Sequence, residues 1–130
     1  MENSKRAHAR GPDCAMGYEI AEQRVPGGGP LRLPVWEIHG EGIRQSEDGL
    51  LLERGLYLVQ LTGEARDGGL ILTLNGAKLR HMEALPSERE RRLALQGLLS
   101  LTAPAVLRAE NNGEKEGLYR RTVMTILRLH

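Results

Sequence analysis

The chain has 130 residues, is 40% hydrophobic and 27% charged, and carries a net charge of +1, which fits one globular domain and excludes a disordered or two-domain chain. Its arginines are interleaved with glutamates, as in Glu88-Arg89-Glu90-Arg91-Arg92, and it holds three Tyr, one Trp and no Phe. Those numbers argue against nucleic-acid binding, which needs a basic face with stacking groups.

Cys14 is the only cysteine, so an internal disulfide framework is excluded and an incidental surface thiol is the reading. The first 17 residues lack the apolar stretch of a secretory signal. No run reaches the roughly 20 apolar residues that span a bilayer. The chain reads as soluble, with no membrane insertion. A spore or cell surface is reached only by a route other than a signal peptide.

Residues 1–15 are polar and read as a flexible arm, with the domain occupying 16–130. Residues 16–22 read as a first, edge strand. The cluster Val25-Pro26-Gly27-Gly28-Gly29-Pro30 is a loop, and 31–34 an extended edge piece. A second strand covers 35–39 and carries Trp36. Residues 43–45 and 50–53 flank Glu47-Asp48-Gly49, a turn signal.

Residues 55–62 alternate with apolar groups on both faces, as in a strand covered on two sides. Asp67-Gly68-Gly69 turns the chain into 70–75. Asn75-Gly76 is a favoured type I′ pair, folding 70–74 back onto 77–81. Ser87-Glu88-Arg89-Glu90 has the spacing of a helix capping box, yet Leu93, Leu95, Gly97, Leu99 and Leu101 recur with period two. The spacing predicts a charged loop over 88–91 and a strand over 93–102.

A further strand covers 105–110, and 111–117 reads as a solvated loop. The last strand starts near Leu118. Its alternating rows are Tyr119, Arg121, Val123, Thr125, Leu127, Leu129 and Arg120, Thr122, Met124, Ile126, Arg128. Both rows carry apolar residues, whereas a sandwich core buries one face of each sheet. The second face therefore calls for another covering surface, most simply a partner subunit.

This series resembles the jelly-roll superfamily of tumour necrosis factor and the globular heads of complement C-one-q. The nearest likeness is to the C-terminal domains of bacterial collagen-like spore-surface (exosporium) glycoproteins. It is carried by Asp48-Gly49, Gly55-Leu56-Tyr57-Leu58-Val59, Leu72-Thr73-Leu74-Asn75-Gly76, Leu95-Gln96-Gly97-Leu98-Leu99-Ser100-Leu101, Ala109-Glu110-Asn111-Asn112 and Thr125-Ile126-Leu127-Arg128-Leu129. The resemblance implies an all-β, two-sheet antiparallel jelly-roll sandwich of about ten strands that forms a homotrimer. It also implies that the strands over 55–62, 93–101 and 119–129 share the inner sheet. The Gly-x-y repeats that precede many such domains are absent, since Gly27-Gly28-Gly29 has no period, and axial aromatic residues are sparse.

Chemistry finds little support. A cupin-like metal site needs clustered His and carboxylate ligands. His39 with Glu37 and Glu41, and His81 with Glu83, are the candidates, and each lacks a second His nearby. Ser100 has no nucleophile turn around it, and Gly27–Gly29 does not lead into a phosphate-binding helix. Glu47-Asp48 and Glu114/Glu116 lack the dense oxygen spacing of a calcium loop.

The sequence is therefore read as a non-enzymatic, homotrimeric assembly or surface-display domain without cofactor or metal. The candidate trimer interface is Tyr57, Val59, Leu99, Leu101, Tyr119, Val123, Met124, Thr125, Ile126 and Leu127. Alternation alone leaves open which row faces the core. The alternative is a receptor- or glycan-binding module using loops 67–69, 86–92 and 111–117, with a protein or glycan ligand.

Overall fold

The structure, a computed structural model, describes residues 11–86 and 91–130. Eleven strands are formed among them: β1 (Cys14–Tyr18), β2 (Gln23–Val25), β3 (Val35–His39), β4 (Ile43–Ser46), β5 (Gly49–Leu52), β6 (Gly55–Arg66), β7 (Leu70–Leu74), β8 (Ala77–Ala84), β9 (Arg92–Leu101), β10 (Ala105–Glu110) and β11 (Gly117–Arg128). One sheet runs β3-β1-β11-β6-β9, with β2 also paired to β11. The other runs β4-β5-β10-β7-β8. All pairs are antiparallel, and the two sheets pack as a jelly-roll sandwich. The three strands expected to share a sheet are neighbours, with β6 between β11 and β9.

The core lies between the sheets. From β6 it takes Tyr57, Val59 and Leu61, from β9 Leu93 and Leu99, and from β11 Met124 and Ile126, against Leu50, Leu52, Leu70, Leu72 and Leu107 of the opposite sheet. At the β8–β9 edge the Met82 side chain lies over Gly97, where a Cβ would come 2.2 Å from its sulfur. The glycine that weakens a helix here makes room for the methionine that closes the sandwich.

Three expectations are corrected. The first strand spans Cys14–Tyr18 and lies between β3 and β11, not at an edge. It takes in Cys14 and Ala15, which composition assigned to the arm, because Ala15 packs into the core. Its Gly17 is required by a neighbour: the Trp36 ring of β3 occupies the space a Cβ would need, at 2.4–2.6 Å. Residues 31–34 form no strand. Pro30 bridges to Glu110 and the Leu31 N–H donates to Ala109 O, so the segment leaves the ladder after one bridge.

The third correction concerns the parity of β11. Arg120 pairs with Glu64 and Val123 with Thr62, so two residues face Gly63 alone. This is a β-bulge, with Arg121 at φ 54°. One extra residue exchanges the faces on either side of it. Tyr119 therefore shares the core row with Thr122, Met124 and Ile126, not the outer row with Val123 and Thr125. The capping-box residues 87–90 lie outside the described residues.

The 111–117 loop, read as solvated, is anchored by a buried side chain. Asn111 is 1% exposed. Its Nδ2 donates to Val25 O (3.0 Å), Lys115 O (2.9 Å) and Pro26 O (3.4 Å), and its Oδ1 accepts from Gly113 N (2.8 Å) and Gly69 N (3.3 Å). One amide thus holds the loops after β2, β6 and β10 together. At the other end, Asp13 Oδ2 accepts from Arg128 Nη1 (2.9 Å) and Gly42 N (3.1 Å), tying the start of β1 to the end of β11.

Candidate functional site

The outer face of the six-stranded sheet is built by the alternate residues that the core does not take. Register arranges them in layers across the strands. One layer reads His39, Cys14, Leu127, Leu58 and Leu98 from β3 to β9. The next reads Glu37, Met16, Thr125, Gln60 and Gln96, and the third Val35, Tyr18, Val123, Thr62 and Ala94. Leu56 and Ser100 pair beyond the first layer. The bulge end carries the charges, with Glu64 facing Arg120 Nη2 at 3.3 Å and Arg121 Nε at 3.5 Å.

Away from its edges this face is uncharged, with its apolar side chains mainly on either side of the polar Thr125, Gln60 and Gln96. Leu98 is 53% exposed and Met16 37%, while Leu58, Leu127 and Val123 are half-buried. Two shallow hollows run along it. One of about 360 Å³ lies between Gln60, Gln96 and Thr125, and one of about 300 Å³ between Met16, Leu58 and Leu127. A separate cleft of about 470 Å³ opens where the sheets part between β3 and β4, floored by Leu50, Leu107 and Met124 and bordered by Trp36.

The ten candidate residues divide between the two sides of the sheet. Val123, Thr125 and Leu127 stand on the outer face. Tyr57, Val59, Leu99, Tyr119, Met124 and Ile126 are buried in the sandwich core, and Leu101 packs against it. The bulge and the register make that division, and neither follows from alternation. Sequence reasoning missed Met16, Leu58, Leu98 and the Gln60–Gln96 pair. The two-sided apolar character of residues 55–62 pointed to Leu58, and the period of 93–101 could have given Leu98 once Leu99 was placed inside.

Two core groups behind the face have shifted ionisation. Burial pushes the Tyr57 phenol up, and the nearby Arg128 guanidinium partly offsets this. Burial also pushes the Tyr119 phenol well above its usual value. Its hydroxyl donates to Gly69 O. Arg128 is held more firmly protonated by its hydrogen bond to Asp13, and its guanidinium lies 5.8 Å from the Tyr57 ring centroid.

The residues weighed for chemistry are dispersed. His39 and Glu37 stand on the outer face at edge strand β3, His81 and Glu83 are exposed on β8, and Ser100 is exposed on β9. Among the described residues no three His, Cys, Asp or Glu side chains are gathered to hold a metal. No helix among them is long and apolar enough to cross a membrane.

No family profile matches the chain, and no characterised protein matches it in sequence. Solved structures do match in shape. Rabbit GITRL superposes with a TM-score of 0.62 at 16% identity, covering 90% of this chain and 94% of that one. Murine APRIL gives 0.61 at 10% identity, over 92% and 100%. The globular domain of zebrafish complement 1qA protein gives 0.61 at 12% identity, over 92% and 98%. The fold is the tumour necrosis factor/complement C-one-q jelly roll. At these identities the likeness is one of fold.

Proposed function

We propose that this chain is a non-enzymatic self-assembly domain. It forms a homotrimer through the outer face of its six-stranded sheet and serves assembly or surface display. The observation that carries the reading is the exposed apolar surface of that face, where Leu98, Leu58 and Leu127 adjoin in one layer, with Met16 and Val123 in the two layers beyond it, on a sheet whose other side is already filled. Contiguous apolar surface of this kind marks an interaction site. Burying one such leucine or valine completely stabilises by about 1.5–3 kcal/mol, so a few per subunit suffice to hold a complex. The three-fold order comes from the resemblance. The nearer likeness to bacterial spore-surface domains rests on the residue series alone.

The test is a charge on the face. Leu98→Glu leaves the sandwich core untouched and is expected to yield a folded monomer in size-exclusion chromatography with light scattering. Thr125→Glu should do the same from the neighbouring layer. Retention of wild-type mass by both folded variants would place the contact elsewhere.

A second reading, recognition of a protein or glycan by the loops, is favoured by the Asn111 network. It holds three loops in one arrangement at one end of the sandwich, and a rigid loop surface binds at lower entropic cost.

A further inference from the structure

The middle layer of the outer face carries three adjoining polar side chains, Thr125, Gln60 and Gln96, where the layer beside it carries Leu127, Leu58 and Leu98. Thr125 Oγ1 donates to Gln60 Oε1 at 3.4 Å, and Gln60 Nε2 donates to Gln96 Oε1 at 2.6 Å. Donation therefore runs toward β9 and ends on the exposed Gln96, whose own amide N–H groups have no acceptor among the described residues. At the opposite edge, in the same layer, stands Glu37 on β3. Glu37 is exposed and has no ion pair or hydrogen bond among the described residues. One layer thus presents a donor at one edge and a charged acceptor at the other.

Resting on the assembly reading, we propose that this layer sets the register and the axis of association, with the Gln96 amide of one copy donating to the Glu37 carboxylate of the next. Rotation about an axis parallel to the strands keeps each layer at its own height. It therefore brings leucine layer to leucine layer, polar layer to polar layer, and the β9 edge of one copy to the β3 edge of its neighbour. The donor and the acceptor then meet, and a closing rotation gives a ring.

Other arrangements leave a penalty. A slip by one layer, about 7 Å for two residues of strand, sets the Gln96 amide of one copy against His39 or Val35 of the next instead of Glu37 and loses that hydrogen bond. An axis running across the strands pairs each edge with itself, so Glu37 faces Glu37. Like charges across an interface work against such a contact. The polar layer costs affinity relative to an all-leucine face and gives in return one geometry, as a buried polar residue does in coiled coils.

The experiment is a charge exchange on the wild-type background. Gln96 is exposed, so Gln96→Glu leaves the fold intact, as circular dichroism and thermal melting would check. It sets two carboxylates against each other and is expected to weaken association about tenfold or more at low ionic strength, with added salt reducing the effect. Adding Glu37→Lys to Gln96→Glu is expected to restore wild-type association. Unchanged association of Gln96→Glu, or no rescue by Glu37→Lys while Leu98→Glu still gives monomer, overturns the polar-layer inference and leaves the assembly reading standing. A monomeric wild-type chain overturns both.

Discussion

Replacing Asn111 by alanine is expected to be among the most destabilising single changes outside the apolar core. The side chain is 1% exposed and makes five hydrogen bonds to backbone groups. Two of them, with Val25 O and Gly69 N, are fully buried. Leaving a buried donor or acceptor unpaired costs about 1–3 kcal/mol, so these two give about 2–6 kcal/mol. The Pro26, Gly113 and Lys115 groups are partly buried and recover hydrogen bonds to water. In a domain of this size each kcal/mol lowers Tm by about 3–5 °C, so a fall on the order of ten degrees or more is expected. Urea unfolding at one fixed protein concentration measures it, read by circular dichroism and by the single tryptophan, Trp36. Asn111→Asp separates chemistry from volume. It keeps the shape but points a carboxylate at three carbonyl oxygens, so at neutral pH it should be worse than alanine. A loss below about 1 kcal/mol for Asn111→Ala would refute the reasoning, because the loops would then hold without their anchor.

The remaining expectations concern the two ends of the sandwich. Both buried tyrosines have raised folded-state pKa values, Tyr119 more strongly, so stability should be level below about pH 10 and fall above it. There the unfolded chain releases phenolic protons that the folded chain retains, at up to about 1.4 kcal/mol per pH unit for each tyrosine. Urea midpoints taken from pH 8 to 11.5 would show this, and a level profile would contradict it. Arg128→Met keeps an apolar stem while removing the contact to Asp13. It should cost about 1–3 kcal/mol, as a charge-assisted hydrogen bond does, and should speed amide exchange in β1 ahead of the other strands. Unchanged exchange in β1 would mean that the strand is held by its ladder alone.

Much of the fold was legible because it is written locally. Asn75-Gly76 takes φ values of 50° and 84°, as a type I′ turn demands, and β10 occupies Ala105–Glu110 between the turn signals that bound it. What could not be read depends on distant partners. Gly17 looks like a weak point in a strand until the Trp36 ring is placed against it. Asn111 sits in an Asn-Asn-Gly run typical of solvated turns, yet its Val25 partner is 86 residues away. The bulge at Arg121 carries no glycine or proline to announce it. That one unannounced residue put Tyr119 in the wrong row and left the core and outer faces of β11 undivided. The outer face was foreseen in kind, from apolar residues on both sides of β6 and β11. Its layers were not, because they exist only in the register between strands.

The most direct measurement is the absolute mass of the wild-type chain by light scattering on a size-exclusion column, at two concentrations. The account predicts a stable species of three times the 14.4 kDa chain mass, unchanged on dilution and collapsing to one chain in Leu98→Glu. A wild-type monomer at both concentrations would contradict it, and the exposed leucine layer would then have to meet a different partner.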